Sequence, residues 1–384
     1  KITFYERPLS AFLYPLKVAA MNMPKSVPLL THQFRNFKKS SLVCFLDLAK
    51  LFPGLEEKLI YSDHHLSHTL TSLAYSDIKE NLCSIVVDGF GDKNCSSIHQ
   101  INNPLNINEL WSSEYPYSIG LFYSTITDFL GFAINEGEYK VMGLAAFGNK
   151  NSKYAKLISK LMFWDDHENK LKLKLEYFKY HLSITNSYSE KLVELLGDPR
   201  NPFKQLLPND ANFQKYADIA RGAQDLTEKM LKKIFEFGHR LTGANTFLFS
   251  GGVAMNSASI DKLGDLPFVE KLFIPPSPGD SGAAIGAAYY GYLKGNSKSK
   301  NIIKPSLFPS SCNFENQFRL SSKIIATEFE ILSKSREESL KICAKLISEG
   351  SIIGSIFGNA ETGPRALGNR SLICDGTNHE AVNK

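Results

Sequence analysis

TFLFSGGVAM, residues Thr246–Met255, encodes a strand, a tight turn and the start of a helix, and the fold class follows from it. The apolar run to Phe249 predicts a buried strand, and the small residues after it predict a turn before a helix near Met255. A second unit has the same design, with a strand at Lys271–Ile274, a Pro-rich loop and an Ala/Gly-rich helix at Ser281–Leu293. Both units place the amides of a helix N-terminus at the carboxyl end of a strand, where phosphates tend to bind. An α/β fold with an anion site is therefore predicted.

A hairpin is predicted upstream of these units. Leu82–Val87 has the pattern of a short buried strand, which breaks at Asp88-Gly89-Phe90-Gly91-Asp92 and resumes at Ser96–Ile101. The amides of a glycine turn between two strands, here those of Gly89 and Gly91, can face an anion. The turn is therefore a candidate contact for a phosphate.

The segment Asp63–His68 (DHHLSH) places two histidines four residues apart at the start of a predicted helix. Asp63 is a suitable N-cap, and an apolar stripe follows at helical spacing. At 3.6 residues per turn, His64 and His68 share a face away from that stripe, so their ring nitrogens can converge on one cation. The glutamate of the zinc-protease helix is missing between them, which excludes that class. From this pair alone, a metal site and incidental polar histidines are equally compatible with the sequence.

Two aspartates lie where predicted regular elements end or begin. Asp88 ends a predicted strand and Asp280 opens a predicted helix, so a turn residue and an N-cap are their ordinary roles. Two such aspartates, together with the histidine pair and the Gly251-Gly252 turn, favour a binding site over these ordinary roles. A metal site with two imidazole ligands, a carboxylate ligand and open coordination positions suits iron(II), and zinc and manganese are alternatives.

A second domain is predicted near the end of the sequence. Lys294–Lys300 has the composition of a linker, and a domain boundary is expected within residues 294–335. Beyond it, a glycine-framed loop carries Arg365 and Arg370. Guanidinium groups are better suited than ammonium to bidentate recognition of phosphate or carboxylate. Ordinary surface arginines are the alternative interpretation.

Composition sets limits on partners and location. The 384 residues carry a formal charge of +5, which is too mild to choose between nucleic acid and small anions. Lys170–Lys174 alternates lysine with leucine like a half-exposed strand, without the aromatic platform of a nucleic-acid site, so nucleic acid is disfavoured as a partner. The absence of a bilayer-spanning apolar run, of a secretion signal and of CxxC pairs predicts a cytoplasmic protein with reduced thiols. Because the sequence starts at Lys1 without methionine, we expect a fragment.

Six motifs occur along the chain in a particular order. They are His64-x-x-x-His68, Asp88-Gly-x-Gly, Tyr139-Lys-Val-Met-Gly-Leu-Ala, Ser250-Gly-Gly-Val-Ala-x-Asn256, Pro278-Gly-Asp-Ser-Gly-x-Ala-Ile-Gly and Gly363-Pro-Arg-Ala-Leu-Gly-Asn-Arg-Ser371. In this order they resemble the O-carbamoyltransferase family, which includes nodulation protein U and the cephamycin and tobramycin carbamoyltransferases. Phe4–Leu9 also resembles a segment of that family, so the resemblance covers essentially the whole chain.

The resemblance implies two domains and a reaction. Residues 1–318 would form a domain similar to the actin, sugar-kinase and heat-shock ATPase (ASKHA) fold without its first strands, and residues 319–384 would begin a YrdC-like α/β domain. In such enzymes carbamoyl phosphate and ATP give carbamoyl adenylate in the YrdC-like domain, with loss of phosphate and pyrophosphate. The carbamoyl group then passes, at the metal site, to a hydroxyl of a small acceptor such as a sugar or a secondary metabolite.

The resemblance also implies roles for single residues. His64, His68 and Asp280 would be metal ligands, and Asp88 would be a further ligand or the base that activates the acceptor hydroxyl. His64 and Asp88 would thus act in catalysis. The residues expected to bind the substrates are Gly251, Gly252 and Asn256 for the adenylate, Arg365 and Arg370 for carbamoyl phosphate or its adenylate, and Glu136 and Lys140 for the acceptor or phosphate side.

Two alternatives stay open. A threonylcarbamoyl transferase of tRNA modification is disfavoured, because that activity does not come with the Arg365–Arg370 motif behind it and because the basic charge is modest. A non-enzymatic, nucleotide-gated scaffold of the actin-like superfamily does not use a paired-histidine metal site. One equivalent of bound metal would therefore argue against the scaffold.

Overall fold

The chain divides into two compact units, Lys1–Ile303 and Lys304–Lys384. The computed structural model describes residues 2–35, 47, 50–52, 54, 58–76, 81–183, 185–295, 335–356, 361–364, 366 and 368–378. The predicted boundary between residues 318 and 319 lies outside these ranges and stays a prediction.

Helices and strands alternate along much of the described chain. The helices are α1 (Pro8–Met21), α2 (Val27–Arg35), α3 (His64–Tyr75), α4 (Ile119–Phe129), α5 (Glu138–Ala145), α6 (Lys153–Ile158), α7 (Glu190–Leu196), α8 (Phe213–Thr242), α9 (Ser257–Gly264), α10 (Asp280–Gly295) and α11 (Arg336–Ser348). The strands are β1 (Ile2–Phe4), β2 (Leu59–Tyr61), β3 (Leu82–Gly91), β4 (Asn94–Asn103), β5 (Asn106–Glu114), β6 (Met162–Asp165), β7 (Lys170–Leu173), β8 (Thr246–Ser250), β9 (Lys271–Phe273), β10 (Ile353–Ile356) and β11 (Arg370–Ile373). Among the described residues, no helix combines the length and the apolar character needed to cross a bilayer.

A five-stranded mixed sheet of order β5-β4-β3-β8-β9 lies at the centre of the first unit. Strands β3, β4 and β5 are antiparallel neighbours, whereas β8 and β9 run parallel to β3. In the register of β3 with β8, Val86 pairs with Ser250, the last residue of β8. Asp88 and Gly252, each two residues further on, therefore become neighbours.

Both faces of this sheet are buried beneath helices, as apolar strands without alternation predict. Phe247 and Phe249 of β8 pack into one core with side chains of α4 and α8, such as Ile234. Leu248, on the opposite face of the same strand, packs with side chains of α3 and α10, such as Leu70. The first unit is thus a three-layer α/β structure, and the predicted α/β class is confirmed.

Helices α3 and α10 approach each other closely because α10 carries glycines at the contact. A Cβ at Gly286 would lie 1.8 Å from the carbonyl oxygen of Ser67, so only glycine fits there. The Thr71 hydroxyl donates to the carbonyl of Gly282 at 2.9 Å and accepts from the amide of Gly286 at 3.0 Å. This packing brings Asp280, the first residue of α10, to the first turns of α3.

The two predicted strand-turn-helix units are present with small shifts in their boundaries. The helix after β9 begins at Asp280, as expected. The helix after β8 begins at Ser257 rather than near Met255, because a 3₁₀ turn at Gly252–Met255 comes first. Asn256 caps this helix by accepting the amide of Ser259 with its side chain.

The predicted hairpin is also present, but its turn lies further along the chain than the sequence indicated. Strand β3 continues to Gly91 and β4 begins at Asn94, so residues 92–93 form the turn. Asp92 has a φ of 53°, in the left-handed region that Asp tolerates better than most residues. The assignment of Gly89 and Gly91 to the turn is therefore wrong: both belong to β3, where the register to β4 shifts.

Residues 2–35 contain β1, α1 and α2, and β1 pairs in parallel with β2. The chain after β1 lies against α3, where the Ser67 hydroxyl donates to the carbonyl of Tyr5 at 3.2 Å. This segment therefore packs against the helix that carries His64 and His68.

In the second unit, helix α11 precedes an antiparallel pair of strands. Ile353 of β10 lies opposite Ile373 of β11, and Ile356 lies opposite Arg370. The helix and strands of this unit are again α/β in character.

Candidate metal centre

The four predicted ligand residues meet at one edge of the central sheet. His64 and His68 lie on the first turns of α3, Asp88 lies in β3, and Asp280 is the first residue of α10. Helix α3 begins as the sequence predicts, because the Asp63 side chain accepts a backbone N–H of the first turn at 3.2 Å. We call these four residues the four-ligand cluster.

The spacing within the four-ligand cluster fits a single first-row divalent ion. The Nε2 atoms of His64 and His68 are 3.1 Å apart. Asp88 Oδ2 lies 3.3 and 3.1 Å from them, and Asp280 Oδ1 lies 3.4 and 3.3 Å from them. Atoms bound at about 2.1 Å to one ion are about 3.0 Å apart at right angles and about 3.4 Å apart at the tetrahedral angle. All four candidate ligand atoms lie within 4.8 Å of one another, so one ion can contact them together.

The Asp88 carboxylate is held in place by backbone amides. Its Oδ1 atom accepts hydrogen bonds from the amide of Gly89 at 2.7 Å and from the amide of Gly252 at 3.2 Å. The backbone carbonyl of Asp88 accepts from the Ser118 hydroxyl, which caps α4. Oδ2 therefore remains directed at His64 and His68.

The cluster is buried on three sides and open on the fourth. The side chains of His64 and His68 are 3% and 1% exposed, and that of Asp88 is 12% exposed. The side chain of Asp280 is 62% exposed. A ligand can therefore approach the cluster from the side of Asp280.

Opposite charges stabilise the four groups against one another. Burial acts to lower the pKa of His64, but hydrogen bonds with Asp280 and Asp88 outweigh it and raise this pKa to about 10. The pKa of His68 is raised for the same reasons. Burial acts to raise the pKa of Asp88 and of Asp280, but the two imidazoles lower both. The two imidazoles and the two carboxylates thus favour one another's charged forms.

Gly91 makes room for the first histidine. A Cβ at this position would lie 2.0 Å from Cδ2 of His64, well inside contact distance. The anion-binding role predicted for Gly89 and Gly91 stays a prediction, whereas the packing of His64 over Gly91 is a feature that the hairpin pattern did not indicate.

The Gly251-Gly252 turn packs tightly on the end of β3. Gly251 has a φ of +91°, and a Cβ there would lie 2.2 Å from the carbonyl oxygen of Val87. The amide of Gly251 donates to the carbonyl of Pro278 at 2.8 Å, while that of Gly252 donates to Asp88. The turn therefore joins the end of β3 to the loop before α10.

Asn256 belongs to a network of buried amides and hydroxyls. Its side-chain amide donates to Gln224 Oε1 at 2.9 Å and accepts from Gln224 Nε2 at 3.0 Å. Gln224 also accepts from the Tyr123 hydroxyl at 2.9 Å and donates to Glu228 at 2.8 Å. Helix α8 thus fixes the side chain that follows the glycine turn.

Four further residues are predicted to bind substrates. Glu136 and Lys140 are exposed near the start of α5, where Lys140 Nζ lies 5.8 Å from the centre of the Phe132 ring. Arg370 begins β11 in the second unit, and Arg365 lies outside the described residues. The binding roles of these four residues stay predictions.

Two residues beside the cluster were missed in the sequence. The carboxylate of Asp92 accepts from the amide of His64 at 2.9 Å and from the amide of Arg7 at 2.8 Å. The Tyr5 ring lies with its centre 5.6 Å from that of the His64 ring. The acid at the end of the DGFGD motif was a signal for Asp92, whereas the signal for Tyr5 was its place in Phe4–Leu9, the segment with a family resemblance.

Two models of one protein family match the chain. The model described as carbamoyltransferase N-terminus covers residues 15–289, and the one described as carbamoyltransferase C-terminus covers residues 344–384. The first of these matches alone spans more than half of the chain.

Individual relatives agree with this result. An uncharacterized protein of Synechocystis sp. is 28% identical over 98% of this chain and 62% of its own length. Nodulation protein NolNO of Sinorhizobium fredii is 24% identical over 85% of this chain and 45% of its own length. Nodulation protein NolO of Bradyrhizobium diazoefficiens is 25% identical over 82% of this chain and 53% of its own length. The chain thus spans between 45% and 62% of the length of these relatives, and it belongs to the carbamoyltransferase family.

Proposed function

We propose that this chain carries the transfer centre of an O-carbamoyltransferase. Its carbamoyl group comes from carbamoyl phosphate by way of an ATP-dependent carbamoyl adenylate and passes to a hydroxyl of a sugar-like or secondary-metabolite acceptor. The observation that carries the proposal is the four-ligand cluster beside the Gly251-Gly252 turn, in a chain of the carbamoyltransferase family.

The proposal includes a division of labour between the two units. We assign the first unit to an actin-like (ASKHA) transfer domain and the second to the beginning of a YrdC-like domain that forms the adenylate. The mixed sheet supports the first assignment, because β8, which is parallel to β3, ends beside the cluster, and open α/β sheets bind their ligands at the carboxyl ends of their strands. Arg370 in the second unit would contact carbamoyl phosphate or its adenylate.

The chemistry of the donors favours a divalent transition metal. Two imidazoles and two carboxylates, His64, His68, Asp88 and Asp280, suit iron(II), with zinc and manganese as alternatives. Such an ion supplies Lewis-acid polarisation of the carbamoyl carbonyl and charge to stabilise the departing AMP. The partly exposed Asp280 leaves one side of the ion open to a substrate.

The residues of the chain would divide the remaining tasks. The glycine turn at residues 251–252 and Asn256, held by Gln224, would bind the adenylate. Transfer would form a bond from the acceptor oxygen to the carbamoyl carbon and break the bond from that carbon to the AMP oxygen, and the hydroxyl proton would pass to water on the open side of the cluster. Both oxygens of Asp88 already have partners, so we assign it to metal binding rather than to the uptake of that proton.

Mass spectrometry with preformed carbamoyl adenylate tests the proposal. We expect the metal-loaded chain to add one carbamoyl group to at least one member of a panel of polyols. His64→Ala should lose this transfer and bind metal at least about 100-fold more weakly, while its circular dichroism stays that of wild type. His167→Ala is the matched control, because His167 is exposed on the β6–β7 hairpin.

Two results would refute the proposed function. One is full transfer by His64→Ala or by wild-type chain from which metal has been removed. The other is the failure of every polyol to gain a carbamoyl group when the wild-type chain holds one equivalent of metal. Elemental analysis of the same samples decides which metal is bound.

A further inference from the structure

The backbone around Tyr5 is fixed against the four-ligand cluster from both sides. Before it, β1 pairs in parallel with β2, the strand that leads into α3, and Phe4 pairs with Tyr61. At Tyr5 itself, the carbonyl accepts from the Ser67 hydroxyl of α3 at 3.2 Å. After it, the amide of Arg7 donates to Asp92 at 2.8 Å. Three separate contacts thus determine where this tyrosine lies.

The Tyr5 side chain extends to the cluster. Its ring is half-buried and lies 5.6 Å, centre to centre, from the His64 ring at an angle of 53°. Burial raises the pKa of the phenol first, and the negative charges of Glu6, Asp280 and Asp88 raise it further. A tyrosine hydroxyl is protonated at neutral pH, so the Tyr5 hydroxyl is available as a hydrogen-bond donor beside the His64 ring.

The open side of the cluster needs such a donor. The buried sides are occupied by His64, His68 and Asp88, while Asp280 is largely exposed. Carboxylates offer only acceptors, so a carbonyl or carboxylate oxygen arriving there would find no donor on Asp88 or Asp280. The Tyr5 phenol, which packs against the His64 ring, can supply the missing hydrogen bond.

We propose that the Tyr5 hydroxyl donates a hydrogen bond to an oxygen atom of the ligand that binds on the Asp280 side of the four-ligand cluster. The inference rests on the proposed function, in which this oxygen belongs to the carbamoyl carbonyl. It adds a substrate-contacting residue from the segment before α1, far from the cluster in sequence. A phenyl ring would be sufficient to pack against His64, so the proposed role belongs to the hydroxyl group of Tyr5.

Cobalt(II) and acetate test the role of the hydroxyl without requiring turnover. Cobalt(II) reports occupation of the cluster through its visible absorption, and acetate offers a carboxylate oxygen at the open side. We expect Tyr5→Phe to bind cobalt within about twofold of wild type and to bind acetate about tenfold more weakly, the loss of one hydrogen bond to a charged acceptor. Tyr14→Phe is the matched control, because its hydroxyl bonds a carboxylate away from the cluster, Glu114 at 2.7 Å.

Three outcomes would overturn the inference. Equal acetate affinity in wild type and Tyr5→Phe would show that the hydroxyl makes no contact with the ligand. An equal loss of cobalt and acetate affinity would show that Tyr5 only supports His64. If the wild-type chain binds no cobalt, the metal centre and this inference fail together. If the acetate result is as expected but no polyol is carbamoylated, Tyr5 keeps its role and the proposed function fails.

Discussion

The His64 side chain has little room to move, because its ring packs directly over Gly91. The His64 ring occupies the space in which any larger residue at position 91 would place its Cβ. The ring is also fixed by its neighbours, because its Nε2 atom lies within 3.4 Å of His68, Asp88 and Asp280. The position of the ring is therefore set by packing as much as by hydrogen bonds.

Substitution of Gly91 by alanine should disturb this packing. Because the added Cβ would lie 2.0 Å from the His64 ring, we expect Gly91→Ala to lower the free energy of unfolding by about 1–3 kcal/mol and to weaken metal binding. Urea unfolding and cobalt titration measure the two effects. Gly264→Ala is the control, since a Cβ there meets nothing within 4 Å and should leave both quantities close to wild type.

At the scale of elements, Asp92 joins three of them. It lies in the turn between β3 and β4, and its carboxylate accepts the first amide of α3 and an amide just before α1. The side chain is 3% exposed, so these amides have little access to water as a substitute. The hairpin therefore holds both the histidine helix and the segment that carries Tyr5.

Removal of the Asp92 side chain should loosen both the start of α3 and the segment before α1. Glycine adopts a φ of 53° readily, so Asp92→Gly keeps the backbone conformation but leaves the amides of His64 and Arg7 without an acceptor. We expect a loss of about 1–3 kcal/mol in the free energy of unfolding. Hydrogen exchange read by mass spectrometry should become faster in residues 2–8 and 62–68. Asn135→Gly removes an exposed side chain at a similar φ and is the control; equal exchange in wild type and Asp92→Gly would contradict the joining role.

At the scale of the whole molecule, the site combines segments that are far apart in the sequence. Local patterns were sufficient to predict β8, β9, α3 and α10, because each has a clear apolar period and a recognisable N-terminus. The same patterns placed His64 and His68 on a polar face of α3. In the fold this face is buried, since β3 and α10 bring Asp88 and Asp280 against it.

What the sequence did not predict depends on long-range pairing. The parallel contact of β1 with β2 joins residues on either side of α1 and α2, and together with the contacts of Ser67 and Asp92 it brings Tyr5 to His64. The hairpin turn was misplaced because the glycines at 89 and 91 have a turn-like composition. Gly91 instead makes room for the His64 ring of α3, while a Cβ at Gly89 would make only an ordinary contact with Leu121 of α4, at 3.8 Å. Composition alone does not distinguish a glycine that turns the chain from one that lets two elements approach.

X-ray absorption at the iron edge, on the chain loaded with one equivalent of iron(II), tests the central claim most directly. The account predicts a first shell of nitrogen and oxygen atoms with the scattering of two imidazoles, reduced to one imidazole in His64→Ala. A shell without imidazole, or a spectrum that is the same in wild type and His64→Ala, would contradict the assignment of His64, His68, Asp88 and Asp280 as a metal centre.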